Sequence, residues 1–332
     1  MNKFEVIEST KEKEGKKNNG DHSKWEYIQE EDLLIIACAD GVTNSGFDYL
    51  ASKISCEESI KEFINSHGSI EDRLHNGVLY ANKMVSEYSE QTKGMLSTLL
   101  LLVWETDMNN IYYINIGDSR IYQISKNKCK PITEDDSLLE PILLNGKHVV
   151  QGGVPLFRKV ITKAMGQSEI LNYVIKKTPF NQGEILVFST DGVHNDSPLS
   201  SKLIQLLWDE DKLQTEIDEF TRNCASSNED DATAVVLRRR DYSEELLNRY
   251  YDEKHFFPWD GIPIYLAKIF LLNRINNAII QNDSLQLVQA LNFVIQNHLK
   301  IKRESILPLF ELTNSRNLLD NKLNTLLRKL MS

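Results

Sequence analysis

Four cysteines are all that 332 residues hold, at positions 38, 56, 129 and 224, and no two form a C-x-x-C pair. A zinc knuckle and a dithiol redox motif are thereby excluded. Isolated thiols fit a reducing compartment without proving one. Long hydrophobic runs are also missing. The longest, "LSTLLLLVW" and "IYLAKIFLL", are too short to cross a bilayer. The start, "MNKFEVIEST", carries early charges and no apolar signal core, so a cytoplasmic protein is expected, with no membrane partner. Positive charge is the scarcer sign. There are 38 basic against 48 acidic side chains, a net charge of −10, and the acid excess falls entirely in the first 240 residues. That argues against a track for nucleic-acid phosphates and permits a site for divalent cations. No low-complexity segment and no repeat period stand out.

What remains is an ordinary globular composition, 41% hydrophobic and 26% charged. Residues 1–240 alternate short β-rich runs with amphipathic stretches. "FEVIE", "KWEYIQ", "LLIIACA", "STLLLLVWE", "NIYYINIG", "RIYQIS", "EILVFST" and "ATAVVLRRR" are rich in Val, Ile, Leu and aromatics and bounded by turn residues, which predicts strands. "FDYLASKISCEESIKEFINS", "IEDRLHNGVLYANKMVSEYSE" and "PLSSKLIQLLWDEDKLQTEIDEFTRNCA" space their apolar residues as helices do. Two helices in a row among runs of strands are not strict βαβ alternation. They predict an α+β fold of sheets packed on each other with helices outside. Past residues 241–260 the strand signals vanish. Residues 241–332 read as a second, all-helical module. Its apolar stripes are either a docking face for a partner or a layer packed on the first domain.

Acids recur where they are expensive. Asp40 ends "LLIIACA", Asp118 follows "IYYINIG", Asp191 follows "EILVFST", and Asp230 and Asp231 precede "ATAVVL". Each lies at one end of a predicted strand. Taken singly, Asp-Gly is a common turn and Gly-Asp-Ser an N-cap or Asx-turn. Should the ends meet, the carboxylates would repel one another strongly unless cations neutralised them. Oxygen-only ligands select hard ions, Mg²⁺ or Mn²⁺, over zinc.

The acids come with companions in a fixed order. They are "NNGD" (18–21), "ADG" with "AS" (39–52), "LSTL" (96–99), "GDSR" (117–120), "PITEDDS" (131–137), "ITKAMG" (161–166), "STDGVHND" (189–196) and "DDATAVV" (230–236). In this the sequence resembles the metal-dependent serine/threonine protein phosphatases of the 2C type, over roughly residues 5–238. The resemblance implies an α-β-β-α sandwich of two antiparallel sheets flanked by helices, with a metal centre at one edge. It implies that Asp40, Asp191 and Asp230 hold one Mn²⁺ or Mg²⁺ ion. Asp40 and the carbonyl of Gly41 would hold a second, with Asp21 acting directly or through water. A weaker third position would lie near Asp118 with Asn195 or Asp196. Asp231 stands where the family has Asn or Asp. The implied reaction is hydrolysis of phosphoserine or phosphothreonine in a phosphoprotein by a two-metal-activated water, in a pathway shared with a serine/threonine kinase.

Two departures stand out. The family's phosphate-binding arginine is replaced by Lys16, beside Lys17, within "KEKEGKK". Lysine supplies charge without a bidentate fork, and the stretch reads equally as a solvated loop. The family's histidine after the first Asp-Gly is absent from Val42-Thr43-Asn44-Ser45. His22 and His194 are the residues near a motif that could replace it as proton donor. The rival function is a pseudophosphatase that keeps the fold and recruits a partner protein. Retention of Asp40, Asp191 and Asp230 favours the enzyme.

Overall fold

The computed structural model describes residues 4–239, apart from 43–45, 93, 126–127, 145–146, 152–153, 196–198, 200 and 208–212, together with 275, 278, 280–281, 287–288 and 291. The chain divides into two compact units. One comprises Met1–Leu207 with Asp211–Asp241, the other Trp208–Glu210 with Tyr242–Ser332.

The first unit is α+β. In chain order its elements begin with β1 (Phe4–Lys11), β2 (Asp21–Ile28), β3 (Leu33–Asp40), α1 (Asp48–Asn65) and α2 (Ile70–Thr92). Then come β4 (Leu99–Glu105), β5 (Asn110–Ile116), β6 (Arg120–Ser125), β7 (Lys128–Pro131) and β8 (Ser137–Pro141). Four two-residue strands follow: β9 (Leu143–Leu144), β10 (Lys147–His148), β11 (Val150–Gln151) and β12 (Val154–Pro155). Last are β13 (Phe157–Ile161), β14 (Lys176–Pro179), β15 (Ile185–Ser189), α3 (Asp191–His194), α4 (Ser201–Leu206), α5 (Leu213–Asn228) and β16 (Ala232–Arg239). Two five-stranded antiparallel sheets result, ordered β1-β16-β15-β6-β7 and β14-β5-β4-β3-β2.

The pleat explains the layering. Along β3 successive side chains point to opposite faces, and both faces are apolar. Leu33, Ile35, Ala37 and Ala39 join a core with Ile60 and Phe63 of α1 and Leu74 and Val78 of α2. Leu34, Ile36 and Cys38 join Leu102 and Trp104 of β4, Phe188 of β15 and Val235 of β16 between the sheets. A run without alternation is therefore a strand sandwiched on both sides. Each fully buried Leu or Ile there contributes about 1.5–3 kcal/mol. Helix α5 packs over β1 and β16 on the far side, which completes the α-β-β-α order.

The eight strands expected from the sequence all form, with shifted ends. Strand β2 starts at Asp21 rather than Lys24. The region 128–179 carries strands that were not expected, chiefly the β8–β13 hairpin, paired from Ser137↔Ile161 to Pro141↔Phe157. The expected helical module of 241–332 lies outside the described residues except at seven positions, where Ile275, Ala278, Leu287 and Leu291 are helical and buried. Among the described residues no helix is long and apolar enough to cross a membrane.

Candidate metal centre

Antiparallel pairing carries the separated acids to one edge of the sandwich. The β2–β3 register sets Asp21 directly opposite Asp40. In the other sheet Ser189 lies between Ala234 and Arg120. Asp191 just beyond β15, Asp230 and Asp231 just before β16, and Asp118 just before β6 are thus neighbours. Both glycines after the first acids are required by close approach rather than by turn geometry. A Cβ at Gly41 would lie 2.2 Å from the Asp48 carbonyl oxygen, and one at Gly192 would lie 1.9 Å from that of Asp231.

Backbone and hydroxyl bonds lock the edge. The Asp40 N–H donates to Thr98 Oγ1 (2.9 Å), and the Thr98 N–H donates to the Asp40 carbonyl (2.8 Å). Thr98 Oγ1 meets Ser119 Oγ at 2.9 Å, tying β4 to the turn that holds Asp118. Thr190 joins the sheets. Its Oγ1 accepts the Thr233 N–H (2.9 Å) and donates to Asp21 Oδ2 (2.7 Å).

Electrostatics divides the acids into three groups. Asp231 is already satisfied, with the N–H groups of Lys13 (2.8 Å) and Gly20 (2.6 Å) and the Lys16 ammonium on its oxygens. Lys16 also reaches Asp48 Oδ2 at 2.6 Å. Though burial opposes its charge, these two carboxylates hold its pKa above the usual lysine value. Asp118, on the other flank, pairs with Lys159 Nζ at 3.0 Å.

The middle group lacks such help. Asp40 is pushed well above the ordinary carboxylate range, by desolvation first and then by Asp191, Asp21, Asp230 and Asp118. Burial raises Asp21 to about 7, with Asp191 and Asp231 adding repulsion and the Thr190 hydroxyl opposing them. Asp191 rises to about 6, again chiefly through burial, with Asp118 and Asp230 adding repulsion. Asp230 is raised by burial too, and accepts the Asp231 N–H at 2.8 Å.

These residues fit a hard cation by their chemistry. Oδ1 of Asp21 and Oδ1 of Asp191 are buried with no hydrogen-bond donor, and every side chain in the group offers oxygen. Among the described residues no three His, Cys, Asp or Glu side chains are set in a ready metal-holding arrangement. Oδ2 of Asp21 instead takes the Thr190 hydroxyl, and Oδ1 of Asp230 the Asp231 N–H.

The remaining expected residues sit apart. Asn195 caps α3 in the left-handed region (φ 40°) and donates to Asn228 Oδ1 at 3.2 Å. Asp196 lies outside the described residues. His194 is buried, with Nδ1 3.0 Å from Ser189 Oγ. His22 stands 3.9 Å from Glu57. Sequence reasoning missed Asp48 and Lys159. Asp48 is the first residue of α1, where an acid reads as a helix start, and Lys159 lies on a hairpin with no strong strand signal.

No family model matches the sequence. The serine/threonine phosphatase Stp of Listeria monocytogenes serotype 4b (strain F2365) is 26% identical over 183 residues, which is 53% of this chain and 70% of that protein. The crystal structure of the Mycobacterium tuberculosis serine/threonine phosphatase PstP/Ppp superposes with a TM-score of 0.55 at 17% identity, covering 71% of this chain and 98% of that one. The PstP catalytic domain in complex with two manganese ions gives 0.53 at 18%, covering 72% and 99%. Both structures share the fold of the first unit.

Proposed function

We propose that this chain, which belongs to the metal-dependent serine/threonine protein phosphatases, hydrolyses phosphoserine and phosphothreonine esters at the carboxylate edge. Asp40, Asp191 and Asp230 hold one Mn²⁺ or Mg²⁺ ion. Asp40 and the Gly41 carbonyl take a second, with Asp21 acting on the pair directly or through water. The observation that carries this reading is the middle group itself: acids that strand pairing brings together, with Oδ1 of Asp21 and of Asp191 buried and without a donor. Burying such charge uncompensated is too costly for a purely structural role.

When bound, the two ions would polarise the phosphoryl oxygens and lower the pKa of the attacking water. The chain supplies the rest. Thr190 turns Asp21 so that Oδ1 stays free, and Thr98 fixes the backbone of Asp40. Lys16 bridges Asp231 and Asp48 and thereby pins the loop before β2. Two of its three ammonium protons are engaged there, so a substrate phosphate has one donor left to it. The leaving serine or threonine oxygen needs a proton. His194 is turned to Ser189 inside the fold and His22 towards Glu57, so water delivers it. The substrates would be phosphoproteins made by a serine/threonine kinase, in the cytoplasm.

Mn²⁺-dependent hydrolysis of p-nitrophenyl phosphate and of a phosphothreonine peptide is the test. EDTA should abolish it, and Asp40→Asn or Asp191→Asn should lower kcat/KM by orders of magnitude. Turnover that survives EDTA and both substitutions would refute the assignment. Absence of turnover with metal present would make the chain a binding protein that keeps the fold.

A further inference from the structure

Asp118 is treated differently from the other acids of the edge. Its side chain is 3% exposed, with Oδ1 buried and without a donor and Oδ2 held by Lys159 Nζ at 3.0 Å. The same ammonium lies 3.2 Å from Asp135 Oδ2. Asp135 is gripped in turn by Arg120, whose Nε and an Nη each donate to one carboxylate oxygen at 2.8 Å. Two acids and two bases therefore form a quartet of balanced charge. Lys159 comes from the β8–β13 hairpin, 41 residues downstream of Asp118, and its side chain is only 16% exposed. That burial separates it from an incidental surface pair, which water would screen.

We propose that Lys159 is the resident cation of Asp118. Its ammonium occupies the position from which that carboxylate would otherwise recruit a further divalent ion. The centre then works with two ions, and the chain itself carries the third positive charge. The inference rests on the two-ion reading above and deepens it. A divalent ion entering at Asp118 would meet a carboxylate already neutralised and an ammonium it must expel, both unfavourable in a poorly solvated site. Asn195, the other described residue of the expected third position, directs its amide to Asn228 instead.

The test counts ions. Mn²⁺ bound per chain is measured by equilibrium dialysis up to millimolar concentration, with free Mn²⁺ followed by electron paramagnetic resonance. The wild type and Lys159→Arg should each hold two. Lys159→Gln should hold three, the added one weaker, and the double variant Lys159→Gln/Asp118→Asn should return to two. Should Lys159→Gln fail to fold, Asp118→Asn alone decides, since it should leave the wild-type count at two. A wild type that binds three ions and loses one on Asp118→Asn would overturn this proposal while sparing the proposed function. A wild type that binds none would overturn both. An unchanged count in a folded Lys159→Gln would likewise overturn the resident-cation role.

Discussion

Mn²⁺ added to the metal-free protein at pH 6 will expel protons, in a number set by the surroundings of the acids. Burial and acidic neighbours lift Asp21 to about 7 and Asp191 to about 6. At pH 6 a carboxyl titrating near 7 is ~90% protonated and one near 6 about half. A dication binds the deprotonated form, so these two acids release together ~1.4 protons. Asp40, raised in the same direction, can only add to that release. At pH 8 the first two hold only ~0.1 proton between them, so the count falls by at least ~1.3 from pH 6 to pH 8. Because the acids repel one another, the count belongs to the cluster and not to single residues. Isothermal titration calorimetry in buffers of different ionisation heat yields it directly at each pH. Release of less than half a proton at pH 6, or equal release at both values, would refute the reasoning. The acids would then already be ionised, and the crowding inferred from their burial would be wrong.

Three further outcomes follow from the same charges. Asp21 and Asp191 have folded pKa values raised above the unfolded carboxylate value, so their contribution to stability is complete below about pH 4 and is lost as pH rises through about 6 and 7. Asp21 alone accounts for about 2–3 kcal/mol lost between pH 5 and pH 8 in EDTA; thermal melts should fall accordingly, and saturating Mn²⁺ should reverse the trend, whereas melts that rise with pH in EDTA would contradict it. Lys16→Ala strips the shared cation from the buried carboxylates of Asp231 and Asp48 and should cost about 3 kcal/mol in urea unfolding; an unchanged midpoint would mean that water screens the pair. Gly192→Ala drives a Cβ into the Asp231 backbone, 1.9 Å from its carbonyl oxygen, and should destabilise by about 2–3 kcal/mol while weakening Mn²⁺ binding; a wild-type melt with wild-type binding would show that the two loops are free to part.

How much of this was legible depends on which residues carry the signal. Strands β3, β4, β15 and β16 announce themselves as unbroken apolar runs because both faces of each are covered. The acids at their ends stand out because a charge directly after such a run is costly to desolvate. Hairpin β8–β13 was not legible. Leu138, Leu139 and Phe157 are exposed, so neither face imposes a period, and Glu140, Arg158 and Lys159 read as ordinary surface charge. Tertiary pairing also left no trace. Arg120 and Asp135 each fall in a recognisable motif, yet their forked contact depends on the β6–β7 turn. The Lys16 contacts with Asp231 and Asp48 close only when β1 lies beside β16 and α1 over β2.

Charge balance explains why this edge can exist and what it asks for. On one flank Lys16 answers Asp231 and Asp48; on the other Lys159 and Arg120 answer Asp118 and Asp135. Among the described residues no lysine or arginine forms an ion pair with Asp21, Asp40, Asp191 or Asp230. Four carboxylates are thus left between a flank that keeps one negative charge and a neutral one, and two divalent ions supply four positive charges. A third ion would leave the edge positive by one unless it displaced Lys159, which the hairpin holds in place. Were the flanking lysines absent, the same acids would call for more metal. The number of ions the centre takes is therefore written in where the chain keeps its own cations, as much as in the carboxylates that would bind them.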